Sequence, residues 1–95
     1  MSTSISGSKP IEFDEAFAAF QAGERETLLP RLDQVVQAGT ADPRLWHIHG
    51  LLLRELDRRD EALRSLRTAA RIAPGSARIA HALARTLLEA GLPSV

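Results

Sequence analysis

Cysteine is absent from this 95-residue chain, which excludes a disulfide framework and thiolate metal sites and suits a reducing, cytoplasmic setting. Aromatic residues make up only 4%, so the basic residues lack the stacking platform of a nucleic-acid binder. Lysine occurs once against eleven arginines, a ratio that fits the coding bias of a GC-rich bacterial genome. No stretch approaches the roughly 20 apolar residues of a membrane span. The opening MSTSISGSKP is serine-rich and lacks the apolar run of a signal peptide. Residues 1–10 are expected to form a disordered tail. Also missing are a glycine-rich phosphate loop, a nucleophile elbow and a spaced acid pair, so the chain is not expected to be an enzyme or to hold a cofactor. Ninety-five residues make one domain at most, but 44% hydrophobic residues suffice for a core.

What is present is a set of spacings. Trp46, Gly50 and Leu53 share one face of a helix, and Gly50 removes a side chain where a second helix must come close. Ala62, Leu66, Ala69 and Ala73 repeat the same period, with small residues that permit tight packing at about 8–10 Å between axes. The link Asp57-Arg58-Arg59-Asp60 between them predicts a hairpin turn. Pro74-Gly75-Ser76 then predicts a break and a new helix near Ser76. Thirty-four positions on, Trp46 corresponds to Ala80, His49 to Leu83, Gly50 to Ala84 and Leu53 to Leu87. That helix should stop at Gly91, with Pro93 beyond.

The first unit matches less well. Phe13, Ala16, Phe17 and Phe20 give its first helix an apolar stripe that predicts core more than a ligand platform, and Gly23 should end it. Glu12, Asp14 and Glu15 suit a first helical turn, where acids complement the dipole. Leu28, Leu29, Leu32, Val35 and Val36 mark the next helix. Pro30 within that run predicts a start near Glu26 or Thr27 and a longer hairpin loop than in the central unit. Asp42 should cap the following helix, with Pro43 at its first position.

These spacings resemble the tetratricopeptide repeat, over roughly Ile11 to Leu92 and most specifically from Pro43 to Leu88. The resemblance implies an all-α fold of about five helices in antiparallel hairpins, stacked as a short right-handed solenoid over 11–95. The units would lie near 11–42 and 43–76, with a half unit at 77–92. It implies that the first helix of each hairpin lines a concave groove that binds a partner peptide. The positions so implied are Arg44, His47, Leu51, Arg54 and Glu55 in the central unit, and Arg78, His81, Arg85, Leu88 and Glu89 in the last. Phe13, Phe17 and Phe20 take these places in the first. Such a groove is basic in its middle and suits a peptide or helix bearing acids. The lysine and asparagine of a C-terminal carboxylate clamp are missing, which argues against chaperone tails.

The expected function is noncatalytic protein–protein interaction. Two alternatives are a regulatory or assembly segment leading a modular enzyme, as in bacterial sulfotransferases or iron-dependent oxygenases, and self-association. The last helix favours a second binding surface. Leu83, Leu87 and Leu88, with Ile79, Ala80, Ala82 and Ala84, make it apolar over more than one face, and only Thr86 offers polarity on its outer side. Leu92-Pro93-Ser94-Val95 would lead into a covering helix, or a second copy would cover this face. Charge is divided as well: residues 1–42 hold three basic and seven acidic side chains, and residues 43–95 hold nine and five. His47 and His49 point to different faces and cannot share a metal ion, and His47 and His81 stand one repeat apart. The histidines are expected at the surface or in the groove, and no metal site, nucleic-acid partner or membrane partner is expected.

Overall fold

A computed structural model describes residues 9–91. Most of the expected 1–10 tail and the Leu92-Pro93-Ser94-Val95 lead lie outside the described residues. The fold is all-helical, with α1 at Phe13–Gln21, α2 at Arg25–Gln37, α3 at Pro43–Glu55, α4 at Arg59–Ile72 and α5 at Ala77–Glu89. No helix among the described residues is long and apolar enough to cross a membrane.

The helix ends follow from local chemistry. Asp42 caps α3 by accepting from the Arg44 amide at 3.0 Å, with Pro43 at the first helical position. There proline costs nothing, because its missing N–H would have no intrahelical partner. Ser76 caps α5 by accepting from the Ile79 amide at 3.2 Å. The C-terminal ends use a left-handed residue at Gly23 (φ 78°), Asp57 (φ 65°) and Gly91 (φ 71°). At the first two, the next amide reaches back five residues, from Glu24 to Ala19 and from Arg58 to Leu53, and so satisfies a carbonyl that the helix end leaves open.

These three positions stand thirty-four residues apart, and burial recurs with the same interval. Ile11, Leu45 and Ile79 are buried, as are Leu28 with Ala62, Leu32 with Leu66, and Val35 with Ala69. Leu52 and Thr86, again one interval apart, are both fully buried. Leu45, Ile48 and Leu52 of α3 close the core over Ala16, Leu28, Leu32 and Val35 of the first two helices. Contacts between described elements join only helices one or two places apart in the chain. The α3–α4 pair is the most extensively packed, and α1 meets α2 far less closely.

Gly50 explains the tightness of the α3–α4 pair. A Cβ built there would lie 2.6 Å from Leu66 Cγ and 3.3 Å from the Ala62 carbonyl oxygen, so the helices approach as the spacing predicts. Trp46 turns its indole N–H onto the Thr40 carbonyl at 2.8 Å and thereby pins the connection that precedes α3.

Five expectations need correction. The helix α2 begins at Arg25, and Pro30 sits inside it, in the second turn. An Arg25 start places both hairpin turns on three residues, 22–24 and 56–58, so the first is not longer. The second turn is Leu56-Asp57-Arg58, while Arg59 and Asp60 already belong to α4. Ala73 caps α4 and is not part of its helical stripe. Thr86 does not face outward: its hydroxyl donates to the Ala82 carbonyl at 2.7 Å and is fully buried.

Candidate functional site

Arg44, His47, Leu51 and Arg54 recur at three- and four-residue intervals and so share one side of α3, as Arg78, His81, Arg85 and Leu88 do on α5. The structure links several of them across helices. Arg44 forks onto its own capping residue, with Nε 3.1 Å from Asp42 Oδ1 and Nη2 3.0 Å from Oδ2. Its guanidinium also lies 4.4 Å from the centre of the Phe13 ring, within cation–π range. Phe13 in turn stacks on Phe17, with ring centres 5.6 Å apart. The side chains of α1 therefore run into those of α3.

His47 of α3 lies near enough to Arg78 of α5 to feel its charge. Burial, and secondarily the charge of Arg78, hold its imidazole below the ordinary histidine value. Both causes favour its neutral form. Further along, Glu89 lies 3.5 Å from Arg54 and 3.6 Å from Arg85, so one carboxylate is shared by two guanidiniums. Arg78 has no carboxylate within ion-pair distance among the described residues. Arg78, Arg85 and His81 are exposed, Leu51 is half-buried, and Arg54 is half-buried with its charged end on Glu89. Phe17 is 43% exposed, whereas Phe13 and Phe20 are half-buried against the core. The aromatic stripe is thus divided between core and surface. Beside Phe13, Asp42 and Arg44 opens a cleft of about 470 Å³, floored by Ile11, Val35 and Leu45.

Of the residues expected to form an exposed apolar face, Leu88 is 78% exposed, while Leu83 and Leu87 are half-buried. Ala80 and Ala84 beside them are exposed.

His49 departs from expectation. It lies neither on the surface nor in the stripe: it is buried, with Nε2 2.7 Å from Asp33 Oδ1 and Nδ1 2.6 Å from Ser65 Oγ. A carboxylate only accepts, so the Nε2–H donates to Asp33 and, in the neutral ring, Nδ1 accepts from the serine hydroxyl. An acid, an imidazole and a hydroxyl in line are the groups of a hydrolytic triad. Here, however, Ser65 is only 4% exposed and lies between packed helices. The arrangement ties α2, α3 and α4 together. Its signal was present in the sequence: His49 precedes Gly50, Ser65 precedes Leu66, and Gly50 faces Leu66. Two polar residues at matching register on facing apolar stripes must satisfy one another.

Compared with known proteins, the chain matches no family model, no curated protein and no solved structure.

Proposed function

We propose that the chain is a noncatalytic protein-binding module built of tetratricopeptide-like hairpins stacked as a short right-handed solenoid. It takes an acidic peptide or helix along the side of α1, α3 and α5 that carries Phe17, Arg44, His47, Arg54, Arg78, His81 and Arg85. The observation that carries this reading is the thirty-four-residue recurrence of left-handed turns, caps and buried positions, which is the period of that repeat. Such a period sets equivalent helices side by side and lines up the side chains that none of the intervening packing consumes.

The charge pattern supports the ligand class. Arg78 and Arg85 are exposed, and a guanidinium presents a fork of donors that matches a carboxylate. Arg78 beside a neutral His47 offers a donor pair for one acid, and Arg85 can exchange Glu89 for a ligand's carboxylate. Phe17 supplies an apolar contact at one end. The paired variant Arg78→Glu with Arg85→Glu should weaken binding of Asp/Glu-rich helical peptides at least about tenfold, as measured by fluorescence anisotropy at fixed salt. The far-UV circular dichroism should be unchanged, because both side chains are exposed. Equal affinity in the variant and the parent would move the binding surface elsewhere.

A further inference from the structure

Arg44 and Arg78 stand one thirty-four-residue interval apart, and the caps of their helices treat them differently. Asp42 caps α3 and also holds Arg44, with Nε 3.1 Å from Oδ1 and Nη2 3.0 Å from Oδ2. Ser76 caps α5 through its hydroxyl and offers Arg78 no carboxylate. The helices packed against α3 use their acids elsewhere. Asp33 of α2 is bonded to His49 and Glu61 of α4 to Arg58. Asp14 of α1 acts on Arg44, and Glu89 of α5 is divided between Arg54 and Arg85. Arg78, exposed on the peptide-binding side, therefore lacks what Arg44 has.

His47, half-buried on α3, lies where that uncommitted charge acts. Burial withholds water from the imidazole and Arg78 repels a second positive charge, so both disfavour its protonation. Among the described residues no carboxylate offsets them. A ligand's acid placed against Arg78, as Asp42 is placed against Arg44, changes this balance. It cancels the charge that repels the proton, and it gives the imidazolium N–H an acceptor.

We propose that this stripe couples acid recognition to proton uptake: a partner carboxylate seated against Arg78 draws a proton from solvent onto His47, whose N–H then donates to that carboxylate. The inference rests on the peptide-binding reading of the stripe and adds regulation to it. A ligand that raises the proton affinity of His47 is itself bound more tightly by the protonated chain, so affinity climbs as pH falls below neutrality. Arginines alone give no such gain. They stay charged throughout, while the ligand's own acids begin to take up protons.

Fluorescence anisotropy of a rhodamine-labelled Asp/Glu-rich helical peptide, at fixed salt, should give a dissociation constant at least about threefold lower at pH 5.5 than at pH 7.5. His47→Gln should abolish that gain. His81→Gln, which removes the exposed histidine of the same stripe, should keep most of it. Calorimetry on the unaltered chain at pH 6.5, in two buffers of different ionisation enthalpy, should show protons taken up as the peptide binds. Equal or weaker binding at pH 5.5, no proton uptake, or a gain that survives His47→Gln would each overturn the coupling. A peptide bound equally at both pH values, and lost in Arg78→Glu with Arg85→Glu, removes the coupling alone. A peptide that binds at neither pH removes the peptide-binding reading and the coupling with it.

Discussion

Gly50 and His49 are neighbours on one face and set opposite demands on what may replace them. Alanine at position 50 would favour the helix by about 1 kcal/mol, but its Cβ meets Leu66 Cγ at 2.6 Å and the Ala62 backbone at 3.3 Å. Neither atom is a free side-chain end, so overpacking should win: Gly50→Ala should destabilise by about 1–3 kcal/mol in urea unfolding. Adding Leu66→Ala should recover little of that, because it removes a fully buried side chain, whereas Leu66→Val should recover more. His49→Ala leaves Ser65 unpaired and opens a cavity, at a cost of about 2–4 kcal/mol. His49→Leu with Ser65→Ala, which copies the Leu83 solution of α5, should restore most of it. Failure of that pair to outperform His49→Ala would mean that the tie to Asp33 supplies the stability. His47 adds a pH effect. Its folded value lies below the ordinary 6.5, so the unfolded chain binds the proton more readily and stability falls as pH drops through the region below 6.5. Unfolding midpoints measured from pH 7 to 5 should decline, and His47→Gln should lessen the slope.

At the level of elements, the caps were legible because each rests on one residue type. Gly23 and Gly91 end helices through a conformation that costs glycine nothing, and Asp42 and Ser76 begin them with a side-chain acceptor. Asp57 was not legible as a left-handed residue, since aspartate adopts that conformation at a cost and only its equivalence with Gly23 and Gly91 reveals it. Asp57→Gly should therefore stabilise by about 0.5–1 kcal/mol. The ion pair it removes, Arg59 with Asp57 at 3.0 Å, is exposed and contributes little. A lowered melting temperature would show that this pair or the stiffness of aspartate matters more. Pro30 shows a related limit of local rules: proline favours a first turn, but α2 is set by the Gly23 turn and by burial of Leu28, which tolerate the loss of one hydrogen bond in the second turn. The role of His49 is harder to read, because a sequence shows a histidine's own stripe more readily than the stripe it faces. The groove residues were legible as a periodic set, and the structure adds what periodicity cannot: Arg44 is held by Asp42 and Phe13, and Glu89 is divided between Arg54 and Arg85.

Across the whole molecule, packing is uneven along the chain. Among the helices α1 is shortest, has Ala16 as its one buried residue, and meets α2 loosely. Glu15 stands where His49 bonds Ser65 across the α3–α4 pair, so the first hairpin lacks the polar tie that fastens the second. Glu15 turns instead to Arg31, with a 2.6 Å contact between exposed side chains. Between α1 and α2 lies a cleft of about 410 Å³ bordered by Ala18, Ala19, Ala22 and Leu28. A row of helices in which contacts reach only near neighbours does not spread stability evenly, and weakly packed ends open before the middle. Hydrogen exchange should show the amides of α3 and α4 protected to the limit of global unfolding and those of α1 exchanging through smaller openings. Ala18→Leu or Ala22→Leu, by filling the cleft, should slow exchange in α1 with little change in α4. Uniform protection across all five helices would instead mean that the α1–α3 contact, through the shared core of Ala16 with Leu45, Ile48 and Leu52, couples the first helix to the centre as firmly as the hairpin turn does.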